Sequence, residues 1–155
     1  MKKILVLMIG FLLIAVNLYA AGDLIVEGNV GIGTTAPNTK VDIAGDIALR
    51  AGDFTAVNGI NNHNINVGGK SFIRITGPTA AFTITGISGG VNGKVVILYN
   101  AATYNMTIAN ENTNSTATNR ITTLTGSGVT TTGVGAITLI YDSTASRWIV
   151  TSARL

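Results

Sequence analysis

Apolar residues fall into one long opening run and then many short ones. Ile4 to Val16 is almost unbrokenly apolar. From residue 22 onward, no stretch carries apolar positions at helical spacing for three turns. Short alternating or continuous β-branched runs recur instead, each closed by Gly, Asn or Asp, which is the pattern of strands and turns. It predicts strands near 24–27, 40–43, 46–50, 71–76, 81–87, 94–99, 104–109, 119–124, 135–141 and 146–151. Strands spaced about ten residues apart indicate a sandwich or barrel. Ser88-Gly89-Gly90-Val91-Asn92-Gly93 separates two of them, and its Asn-Gly pair accepts positive φ. Asp142 to Ser146 reads as the tip of a hairpin. Asn58 to Asn66 is polar and broken by glycine, so it reads as a loop or linker.

The opening run has the length of a signal-peptide core and is short for a membrane span. Met1-Lys2-Lys3 precedes it, and Asn17-Leu18-Tyr19-Ala20 follows. Cleavage after Ala20 fits best, with Ala21 as the alternative, so the mature chain is expected to be secreted, extracellular or at the cell surface and to meet a membrane only during export. An uncleaved anchor is the competing reading. Gly10-Phe11 lacks the polar leader and the later glutamate of a type IV prepilin, with Ala15 where that glutamate would stand.

Composition supports strands over helices. The chain has 155 residues, 19 of them glycine and only 2 proline. Charged residues make up 11% and apolar residues 46%, which argues against disorder. Without Lys2 and Lys3, eight basic residues face seven acidic ones, and no basic stripe exists, so nucleic acid is not an expected partner. There is no cysteine, which removes disulfides, thiol nucleophiles and zinc-thiolate sites.

Residues 28–45 read Gly-Asn-Val-Gly-Ile-Gly-Thr-Thr-Ala-Pro-Asn-Thr-Lys-Val-Asp-Ile-Ala-Gly. This segment resembles a motif of phage tail fibres and secreted bacterial surface fibres: Gly-Asn-Val-Gly-Ile-Gly-Thr, a Pro, then Lys-Leu-x-Val-x-Gly. Gly28, Gly31, Ile32, Gly33, Thr34, Pro37, Lys40 and Gly45 fall in place, while Val41 stands for the Leu and Ile43 for the Val. The resemblance implies a short stem that buries its apolar positions by wrapping with two other chains, hence a homotrimer. The competing reading is a monomeric sandwich with ordinary turn glycines. The segments Gly93–Asn100, Met106–Ile108, Asn119–Ile121, Leu139–Asp142 and Arg147–Val150 are also similar to fibre-head sequences.

The expected organisation is therefore a signal peptide at 1–20, a β-stem at 21–57, a linker or loop at 58–69 and a C-terminal domain at 70–155. The expected fold is all-β, with the stem followed by an antiparallel β-sandwich or jelly-roll-like domain.

Little in the chain suggests catalysis. His63 is the only histidine and stands in the Asn-rich segment with no acid or Ser motif around it. No Asp-x-Asp-x-Asp loop appears, and no histidine cluster offers a metal site. Gly28–Gly33 is not followed by a helix pattern, so it does not read as a phosphate cradle. Asn105-Met106-Thr107 and Asn114-Ser115-Thr116 fit the glycosylation sequon, which arises by chance in a Thr- and Asn-rich chain. No enzyme activity, cofactor or metal is expected. Tyr99 and Tyr104 are the candidate ligand-contacting aromatics, since aromatic faces stack on sugar rings. Tyr141 and Trp148 flank the hairpin and read as packing residues. Three functions follow: a trimeric fibre protein, a lectin-like head that binds a cell-surface glycan or another fibre component, or a filament subunit that lends a strand to its neighbour.

Overall fold

The computed structural model describes residues 26–154, so the expected signal peptide and the start of the strand expected at 24–27 lie outside the described residues. The chain divides into two compact units, one ending at Ile47 and one beginning at Ala48. In the first, β1 (Val30–Ile32) pairs in parallel with β2 (Val41–Ile43), Val30 opposite Val41 and Ile32 opposite Ile43.

The second unit holds β3 (Ala51–Thr55), β4 (Gly59–Asn62), β5 (Phe72–Thr76), β6 (Phe82–Ile84), β7 (Val95–Asn100), β8 (Met106–Ile108), β9 (Ile121–Thr122), β10 (Val129–Thr130), β11 (Gly135–Asp142) and β12 (Arg147–Arg154). A six-stranded sheet runs β3-β5-β7-β11-β12-β9, and a four-stranded sheet runs β10-β8-β6-β4. Successive coils contribute one strand to each: β3 then β4, β5 then β6, β7 then β8. Ala51 pairs with Phe72 and Phe72 with Ile97, while Phe82 pairs with Met106 on the other sheet. The result is a solenoid-like stack, closed at its C-terminal end by the β11–β12 hairpin lying antiparallel on β7.

The all-β expectation therefore holds among the described residues, where the only helical element is one 3-10 turn, Ala117–Asn119. The antiparallel pairing expected of a sandwich or jelly-roll does not describe most of the ladder. Pairing through β3-β5-β7 and β4-β6-β8 is parallel, as is β12 with β9. Only β7–β11, β11–β12 and β8–β10 are antiparallel. The physical reason is the connection: each strand returns to its own sheet by crossing through the other sheet, so its neighbour is one coil away and not one turn away.

Alternation sets the core. Ile73 and Ile75, Val96 and Leu98, and Ile137, Leu139 and Tyr141 point inward from the larger sheet. Phe82, Ile84, Met106 and Ile108 meet them from the smaller sheet, and all belong to one cluster. Trp148 is fully buried among them; its indole N–H donates to the Ile87 carbonyl at 2.7 Å, and its ring meets Tyr141 edge-on at 5.2 Å.

Segment 58–69, read as a linker or loop, carries β4 and buries Asn62, Ile65 and Val67. Asn62 faces inward because its amide closes the corner of the coil: Oδ1 accepts from Val57 N, and Nδ2 donates to the carbonyls of Val57 and Thr83. Asn100 does the same at a later corner, donating to Tyr104 O at 2.8 Å and Gly133 O at 2.7 Å and accepting from Ala102 N at 3.1 Å. No buried side-chain polar atom among the described residues lacks a partner, as expected when an unpaired group costs about 1–3 kcal/mol.

Candidate functional site

The fibre-like motif forms one small knot of backbone and side chains. Lys40 immediately precedes β2, and Val30 N donates to its carbonyl at 2.9 Å. Its ammonium folds back and donates to the carbonyls of Gly28, at 2.9 Å, and Glu27. A lysine suits this position because a compact ammonium with three donors can hold two carbonyls that no strand partner reaches. Asn29 Nδ2 donates to Pro37 O at 3.3 Å, and Thr34 Oγ1 accepts from Ala36 N at 3.2 Å, which fixes the turn between the strands. Asp42 Oδ2 accepts from Asn38 N at 2.8 Å.

Two of the motif glycines are demanded by this chain itself. A Cβ on Gly31 would collide with the Thr34 carbonyl. Gly33 has φ +75°, and a Cβ there would lie 2.8 Å from the Ala44 carbonyl. Gly28 and Gly45 have open space where a Cβ would stand. The motif thus brings Gly28, Gly31, Gly33, Thr34, Pro37 and Lys40 into one local structure, with Gly45 beyond it.

This unit leaves several apolar side chains exposed, while Val30 and Ile43 are half-buried. None of its described residues is buried. Ile32 is 54% exposed, Val41 59% and Ile47 70%.

The two candidate aromatics are not brought together. Tyr99 lies half-buried on the outer face of the larger sheet, stacked on Phe72 with ring centroids 6.0 Å apart. Tyr104 lies in the loop after β7 and is exposed.

Two polar clusters went unread in the sequence, because their members are distant in the chain. His63 Nδ1 lies 2.8 Å from Thr85 Oγ1, which lies 2.8 Å from the buried Ser115 Oγ. Ser115 Oγ also accepts from Asn64 N at 3.1 Å, so this seam ties the coils together and leaves the hydroxyl no route to solvent. Glu111, at φ 45°, receives Arg147 Nε at 2.8 and 2.9 Å and the Thr122 hydroxyl. Partial burial pushes the Glu111 carboxyl up, but bonds from Thr122 and Arg147 and the nearby charges outweigh it and hold the pKa below the ordinary value. Among the described residues no three metal-ligating side chains converge, and no pocket is formed. No family model matches the chain, and no curated protein matches it.

Proposed function

We propose that this chain is an exported structural and interaction protein of a fibre or cell-surface appendage, similar to tail-fibre proteins, and that it works as a homotrimer. The observation that carries this reading is the first unit. It has a defined turn and ladder, yet none of its described residues is buried, and Ile32, Val41 and Ile47 stand exposed. A lone two-stranded ladder is marginal in water. Three copies can cover Ile32, Val41 and Ile47 mutually, while the glycines and Lys40 keep each copy in shape. The opening Lys2-Lys3 and apolar run supply the export signal, whose removal leaves a mature chain beginning at Ala21 or Gly22.

Folding and association are linked in such a protein, so its thermal midpoint should rise with protein concentration. A midpoint independent of concentration over a wide range would defeat the reading. A lectin-like head is the second reading, favoured by Tyr104, which is 42% exposed on a loop. Consistent hits in a broad glycan screen that Tyr104→Ala abolishes would favour it.

A further inference from the structure

The two outer faces of the second unit differ in a way that a water-exposed solenoid does not require. The outer face of the smaller sheet carries Thr83, Thr107 and Thr130 in one register row, with Ile60 and Asn61 of β4 exposed beside Thr83, so it is mostly polar with one apolar side chain. The outer face of the larger sheet carries Phe72, Val95, Ile97, Tyr99, Ile140 and Ile149, the positions that alternate with the buried core of β5, β7, β11 and β12. The registers make them contiguous: Phe72 pairs with Ile97, Val95 with Ile140, and Ile140 with Ile149.

We propose that this face is where the second units of neighbouring copies of the chain meet, a proposal that rests on the homotrimer reading above. Charge placement selects a copy of this chain as the occupant. One register row runs Asp53–Arg74–Tyr99–Ala136–Arg154: its only acid, Asp53, lies at the β3 edge beside Arg74, and Arg154 lies at the far end of β12, beyond the stretch that β9 pairs, with no acid beside it in the row. Those ends are about 19 Å apart at ordinary strand spacing, too far to pair within one copy. In a closed ring with this face turned inward, the β3 edge of one copy meets the β12 edge of the next, placing Asp53 beside Arg154. The apolar strip, with Tyr99 near its middle, then faces the axis behind a polar rim, as specific interfaces do. The face is about 24 Å by 20 Å, roughly 500 Å² of footprint, below the roughly 800 Å² per partner of a standard interface. It is therefore weak alone and needs the high effective concentration that a trimeric stem provides.

The test uses the full mature chain in sedimentation equilibrium, with circular dichroism as a check on folding. Ile97→Arg should raise the dissociation concentration about tenfold or more, while Thr107→Arg on the opposite sheet should not. Asp53→Arg and Arg154→Asp should each weaken assembly, and the double variant should restore it. If Ile97→Arg fails to fold, the charge-swap set decides alone. A wild-type chain that is monomeric at every concentration removes the homotrimer reading and this proposal with it. A wild-type trimer that Ile97→Arg or, where that variant does not fold, the single swaps leave untouched overturns this proposal alone, and so do single swaps that weaken assembly without rescue by the double variant.

Discussion

Replacing Trp148 with alanine removes the largest fully buried side chain among the described residues. The indole spans the core from β12 to the Ile87 carbonyl and packs edge-on against Tyr141. Deleting a buried large aromatic costs about 3–5 kcal/mol. The upper part of that range applies here, because the ring has no exposure and the Ile87 carbonyl also loses its donor. Trp148→Phe keeps much of the packing and loses the N–H, so it should cost about 2 kcal/mol, within the range for an orphaned carbonyl. Urea unfolding of the mature chain at one fixed concentration measures both. Circular dichroism must report it, since Trp148 is the sole tryptophan and its fluorescence vanishes with the substitution. With a slope of about 1.5 kcal/mol per molar urea, the alanine variant should lower the midpoint by about 3 M. A folded alanine variant within about 0.5 M of the parent would refute the reasoning, because it would mean that burial of Trp148 and its bond to the Ile87 carbonyl do not hold the core.

Asn100→Ala should destabilise by about 2–3 kcal/mol, since the carbonyls of Tyr104 and Gly133 lose a fully buried donor; equilibrium unfolding checks it. Gly33→Val should break the β1–β2 knot, through positive φ and the Ala44 carbonyl, while leaving the far-ultraviolet signal of the second unit intact. Light scattering should then show a smaller assembly. Glu111→Gln should cost about 1 kcal/mol at neutral pH, because the pair with Arg147 is only partly buried and stays in reach of solvent screening. Its lowered folded-state pKa means that the ion pair stabilises above the ordinary glutamate pKa of about 4.3 and is lost as pH falls through the lower folded value. The glutamine variant should therefore show a flatter loss of stability in acid than the parent.

The elements that alternation and turn chemistry define were legible in the sequence. The strands expected at 71–76 and 94–99 correspond to β5 and β7, and the hairpin tip from Asp142 to Ser146 joins β11 to β12. Trp148 is buried, as its place in a strong strand pattern indicated. β4 was hidden because its inward residue is Asn62, which satisfies the backbone at a corner and so reads as loop. The strand expected at 46–50 is instead β3 at Ala51–Thr55, where Gly52 and Asp53 weaken the apolar signal. Parallel pairing was not legible either. Parallel neighbours usually announce themselves through an intervening helix, and here the crossover is a strand of the opposite sheet. Within the motif, Gly31, Gly33 and Lys40 fold into one turn. What the spacing could not reveal is that Gly31 and Gly33 are held by the chain's own Thr34 and Ala44 carbonyls.

Sedimentation equilibrium of the mature wild-type chain over a wide concentration range tests the central claim most directly. A protein whose first unit exposes Ile32, Val41 and Ile47 until copies cover them should sediment with the mass of three chains, and dissociate only on strong dilution. A folded single chain at every concentration, with residues 26–47 ordered, would contradict it.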